Sequence, residues 1–64
     1  MKIILNGEAQ DLAGPNLAEA LEQAGLTGRF ATALNEAFVP SHMRAQTLLK
    51  DGDRIEALSP MQGG

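Results

Sequence analysis

One segment of this chain carries a clear helical period, and the segments around it read as strand or turn. Leu17, Leu21 and Ala24 recur at i, i+4 and i+7, opposed by Glu19, Glu22 and Gln23. Asn16 stands in N-cap position with Glu19 three residues on, a capping box with Asn in place of Ser or Thr. Gly25 is placed as a left-handed C′ residue, with Leu26 as C″ folding back on Leu21 in a Schellman motif. The spacing predicts a helix from Leu17 to Ala24. One helix cannot cover both faces of a sheet, so the strands around it are expected to form a mixed sheet packed on one side.

Those strands follow from turn chemistry. Ile3-Ile4-Leu5 and Glu8-Ala9-Gln10-Asp11-Leu12 flank Asn6-Gly7, the dipeptide best suited to a two-residue hairpin turn. Ile3 and Leu5 then share one face, and Ile4 points to the other. After the helix, Thr27-Gly28-Arg29 connects to a strand from Phe30 to Leu34. Asn35-Glu36 turns the chain into a short strand, Ala37-Phe38-Val39, ended by Pro40. Ser41 to Thr47 is polar and fits one helical turn with Ser41 as its cap. Leu48-Leu49 is expected to return to the core, Lys50 to Asp53 to turn, and Arg54 to Leu58 to form the last strand. The class is α+β, in the order strand, strand, helix, strand, short strand, strand.

Composition removes several kinds of function. The chain has 64 residues, near the lower size at which one domain folds unaided. Its 44% hydrophobic content is almost wholly aliphatic, without Trp or Tyr to stack on bases or sugars. Absence of Cys excludes a disulfide framework, a thiolate metal site and a thiol nucleophile. Net charge is −3 and the five basic residues form no run, which argues against nucleic acid and against a basic membrane anchor. No apolar stretch is long enough for a signal sequence or a membrane span. A soluble, cytoplasmic protein, monomeric when free, is expected.

What remains is the end of the chain, Met61-Gln62-Gly63-Gly64. Beyond Leu58 nothing is patterned for burial, so residues 1–58 read as the folded domain and 59–64 as a flexible tail. Two terminal glycines give a narrow backbone, free in φ, that can carry a carboxylate into another protein's pocket.

These pieces together resemble the ThiS-type sulfur carriers of thiamine biosynthesis, small ubiquitin-like β-grasp proteins. The resemblance rests on Ile3-Ile4-Leu5-Asn6-Gly7-Glu8, the helix residues Leu17-Ala18-Glu19-Ala20-Leu21, Ala33-Leu34-Asn35, Val39-Pro40, and Leu49. Its most specific part is Asp51-Gly52-Asp53-Arg54-Ile55-Glu56 falling just ahead of Gln62-Gly63-Gly64. Two departures follow Val-Pro, where the family usually shows Arg and then Trp. Here Ser41 and Arg44 occupy those places, and Pro60 in the tail is also unusual. All three are expected to bear on partner choice.

The resemblance implies a carrier and cosubstrate, not an enzyme, in which Gly64 is the reacting residue and Gly63 gives access. An adenylating enzyme of the ubiquitin-activating type would use ATP and magnesium to form an acyl-adenylate at Gly64. A cysteine-derived persulfide would then generate a thiocarboxylate for thiazole synthase. The chain itself is expected to bind no cofactor and no metal. Gln62 and Met61 would line the channel mouth. Ile4, Phe38, Leu58 and Met61 form either a docking patch on the open sheet face or ordinary surface and secondary core. Asp51, Asp53 and Glu56 read as solvated carboxylates rather than a cation site, and His42 as a lone surface residue. Other functions remain open: a carrier for molybdopterin, amino-acid or tRNA sulfuration, a protein tag joined to lysines, or a non-covalent interaction module.

Overall fold

The computed structural model describes residues 1–59. At its start Asn6 and Gly7 both take left-handed conformations, with φ of 50° and 84°. This pair matches the twist of the flanking strands. It joins β1, Lys2–Leu5, to β2, Glu8–Asp11, with Leu5 opposite Glu8 and Lys2 opposite Asp11. Ile3 and Leu5 are buried on one face, and Ile4 lies on the other.

The helix α1 spans Leu17–Gln23, with Ala24 as its C-cap rather than its last residue. The Asn16 side chain accepts the Glu19 N–H at 2.8 Å, and its amide donates to the Glu19 carboxylate at 3.4 Å. At the other end Leu26 N–H donates to the Leu21 carbonyl at 3.0 Å, and Gly25 N–H donates to that of Glu22 at 2.9 Å. These are the two bonds of a Schellman motif, closed by Gly25 at φ 84°. Leu17, Ala20 and Leu21 form the buried stripe of this helix.

A second hairpin joins β3, Ala31–Leu34, to β4, Ala37–Val39. Its turn residues, Asn35 and Glu36, repeat the left-handed pair of the first hairpin, at φ 50° and 74°. Phe30, expected inside β3, lies just ahead of it. A 3-10 helix, Ser41–Gln46, then leads to β5, Arg54–Leu58. The five strands form one sheet in the order β2-β1-β5-β3-β4, with β1 and β5 parallel and the other neighbours antiparallel. The last strand therefore lies at the centre. Its Ile55 joins Ile3, Leu5, Leu12, Leu17, Ala20, Leu21 and Val39 in the core between sheet and helix.

Three expectations need correction. Pro40, not Ser41, occupies the N-cap of the 3-10 helix, and no side chain caps it. Leu49 packs on the core, but Leu48 is 73% exposed. The backbone explains this: Leu17 N–H donates to the Thr47 carbonyl and Leu49 N–H to that of Pro15, so the segment lies alongside residues 15–17 as a short bridge. Successive side chains on such a bridge point opposite ways, and only one of the two leucines reaches the core. Asp53, expected in solvent, is only 4% exposed.

Candidate functional site

The reactive end proposed from the sequence, Met61, Gln62, Gly63 and Gly64, lies outside the described residues, as does Pro60. What the structure fixes is the strand that leads to it. β5 is gripped at both ends by the asparagines of the two hairpin turns. At its start Asn35 Oδ1 accepts the Arg54 N–H at 3.0 Å, and the Asn35 N–H donates to the Arg54 carbonyl at 2.7 Å. Near its end Asn6 Oδ1 accepts the Ala57 N–H at 2.9 Å, and Asn6 Nδ2 donates to the Ala57 carbonyl oxygen at 3.2 Å. Neither contact was anticipated. The two left-handed Asn turns were the available signal, since such turns leave a short carboxamide free to reach an adjacent backbone.

Asp53, just ahead of β5, locks its entry. One carboxylate oxygen accepts Asn35 Nδ2 at 3.0 Å and the other accepts the Lys50 N–H at 2.8 Å. Burial pushes the Asp53 carboxyl up. The Asn35 bond, the Lys50 N–H and the Lys50 ammonium together outweigh that and hold its pKa below the ordinary carboxylate value of 3.8. Asp51 Oδ1 accepts the Lys2 N–H at 2.6 Å and ties the same turn to β1. Each carboxylate accepts a backbone N–H, and Asp53 accepts the Asn35 side-chain amide as well. Among the described residues no group of three His, Cys, Asp or Glu side chains could hold a metal ion.

The sheet face away from the helix carries the apolar candidates. Phe38 stands opposite Ala33, which stands opposite Glu56; one row on, Ala31 stands opposite Leu58. Phe38 and Leu58 are 69% and 67% exposed, and with the two alanines between them they make an apolar corner where β5 ends. Ile4 shares the face but stands opposite Arg54, four residues back along β5 from Leu58. Glu56 lies between them on that face, so the register sets Phe38 and Leu58 on either side of β3, one row apart, and Ile4 farther off on β1.

The Arg44 side chain folds onto the start of β3. Its guanidinium lies over the Phe30 ring, 4.5 Å from the centroid, its Nε donates to Thr32 Oγ1 at 3.0 Å, and it also donates to the Phe30 carbonyl. Thr32 Oγ1 in turn donates to the Val39 carbonyl at 2.9 Å. A planar guanidinium can stack on a ring and donate hydrogen bonds from its edge at once. Ser41 is exposed, and so is His42.

A five-stranded mixed sheet with a central parallel pair, wrapped on one side by one helix, defines a β-grasp protein of the ubiquitin-like kind. A solved structure of the thiamine biosynthesis protein ThiS from Geobacter metallireducens superposes with a TM-score of 0.83 at 28% identity, covering 100% of both chains. The sulfur carrier protein ThiS of Thermus thermophilus is 42% identical over 62 residues, 94% of this chain and 95% of its own length. The sequence model of the ThiS family matches residues 3–64, and the chain belongs to that family.

Proposed function

We propose that this chain is a protein sulfur carrier, loaded at Gly64 and discharged during thiazole formation in thiamine biosynthesis. The observation that carries this reading is the family match running through residue 64, so that Gly63 and Gly64 are part of it. The name of the Thermus thermophilus relative, a sulfur carrier protein, supports it.

A C-terminal carboxyl has a pKa of about 3.5 and is a poor electrophile as the anion. The Gly64 carboxylate therefore attacks the α-phosphorus of ATP in an adenylating enzyme of the ubiquitin-activating type, releasing pyrophosphate and forming an acyl-adenylate. Magnesium in that partner balances the phosphate charge. The terminal sulfur of a cysteine-derived persulfide then attacks the acyl carbon and displaces AMP. A thiol cleaves the resulting acyl disulfide, leaving the thiocarboxylate on Gly64, which thiazole synthase consumes. Gly63 supplies a backbone thin enough to enter the pocket, and Met61 and Gln62 line its mouth. Phe38 and Leu58 provide the apolar docking corner beside the tail, with Ile4 as an outlying contact.

The test is intact mass after incubation with ATP, the adenylating enzyme and a persulfide donor. A gain matching one oxygen exchanged for sulfur, lost on deletion of Gly64, supports the carrier reading. An unchanged mass with a competent enzyme points to a non-covalent module, and conjugates of higher mass point to a tag.

A further inference from the structure

The strand that leads to the tail outlasts its partner. Parallel pairing of β1 with β5 stops at Leu5 opposite Ile55, where the first hairpin turns away, yet β5 continues to Leu58. On its other side those residues stay paired, Thr32 with Ala57 and Ala31 with Leu58. On the β1 side the Asn6 carboxamide replaces the missing backbone, accepting the Ala57 N–H at 2.9 Å and donating to the Ala57 carbonyl at 3.2 Å. An amide that accepts and donates at once copies the two bonds a neighbouring strand residue makes. Asn6 is itself fixed, because its N–H donates to the Ile55 carbonyl at 2.9 Å and its φ is 50°.

We infer that Asn6 is a positioning residue for loading: its carboxamide anchors the root of the tail and so sets where Gly64 is presented. This rests on the carrier reading above. Seven peptide steps separate Ala57 from Gly64 (64 − 57), and these must be ordered when the end enters a partner's pocket. Without the carboxamide Ala57 is held only from the β3 side, and this looser strand end adds to the stretch that must be ordered. That penalty falls on association, while the chemistry at Gly64 proceeds unaltered once the end is seated.

The test compares Asn6→Gly with Asn35→Gly, both tolerant of a left-handed turn. Asn35 grips the end of β5 remote from the tail. ATP–pyrophosphate exchange by the adenylating enzyme is measured against carrier concentration, at a temperature where circular dichroism shows every variant folded. Asn6→Gly is expected to raise KM for the carrier about tenfold with kcat unchanged. Its Ala57 amide should exchange hydrogen faster while Ile55 does not, and Asn35→Gly should leave KM at the wild-type value. An unchanged KM for Asn6→Gly overturns the inference, as does an equal rise for Asn35→Gly, which would mark a general loss of stability. A wild-type chain that supports no exchange with a competent enzyme overturns the carrier reading itself.

Discussion

Asn35 joins a buried charge to the central strand: its Nδ2 donates to the Asp53 carboxylate at 3.0 Å while its Oδ1 accepts the Arg54 N–H at 3.0 Å. Because Asp53 is only 4% exposed, water cannot replace the lost donor. Asn35→Gly keeps the turn and should cost about 1–3 kcal/mol. In a domain of this size each kcal/mol lowers Tm by about 4–8 °C. Asn6→Gly, whose Ala57 partner groups return to solvent, should cost about 0.5–1.5 kcal/mol. Thermal melts that rank the two in the opposite order would contradict this account.

Asp53 also sets an acid limit on stability. Its pKa in the fold lies below 3.8, so between the two values the unfolded chain binds more protons than the folded one. The stabilisation is complete above the ordinary carboxylate value and is lost as pH falls through the lowered one. Tm is therefore expected to drop as pH descends below about 4. Asp53→Asn should start from a lower Tm at pH 7 and show a shallower acid limb. An acid limb of unchanged slope in that variant would place the titrating group elsewhere.

Arg44 is expected to tolerate neither lysine nor alanine. A lysine supplies charge over Phe30 but not the planar fork that reaches both Thr32 Oγ1 and the Phe30 carbonyl. Arg44→Lys should cost about 1–2 kcal/mol and Arg44→Ala about 2–3 kcal/mol. Urea unfolding at neutral pH measures both.

Phe38 and Leu58 should behave in the opposite way. Both are more than two-thirds exposed, so Phe38→Ala and Leu58→Ala should change stability by no more than about 0.5 kcal/mol. If their corner docks the adenylating enzyme, each should weaken binding about tenfold. Ile4→Ala should weaken it less, since Ile4 stands apart from that corner. Equal losses at all three positions in a titration would mean that one broad surface is used.

How much of this was legible depended on range along the chain. Asn6-Gly7, the Asn16–Glu19 cap and the Gly25-Leu26 stop are set by bonds between residues at most five apart, and each formed as the sequence predicts. Leu48 and Asp53 were misread because their surroundings come from distant segments. A turn aspartate reads as solvated until Asn35, 18 residues earlier, is seen to fold over it. The grip of Asn6 on Ala57 spans 51 residues and no local pattern announces it. For the candidate site, Gly63 and Gly64 are read from the sequence and lie outside the described residues, whereas separating Leu58 and Phe38 from Ile4 needed the sheet register.

The central position of β5 has a consequence for how this protein is made. Without that strand the sheet is two separate hairpins, β2-β1 and β3-β4, with no shared edge. Translation delivers the joining strand last, so a nascent chain stalled or cut before Arg54 has no means of closing its core. Such fragments stay open to proteases, and the intact domains that accumulate in a cell already hold β5. Completion of the core thereby acts as a check on translation through Leu58.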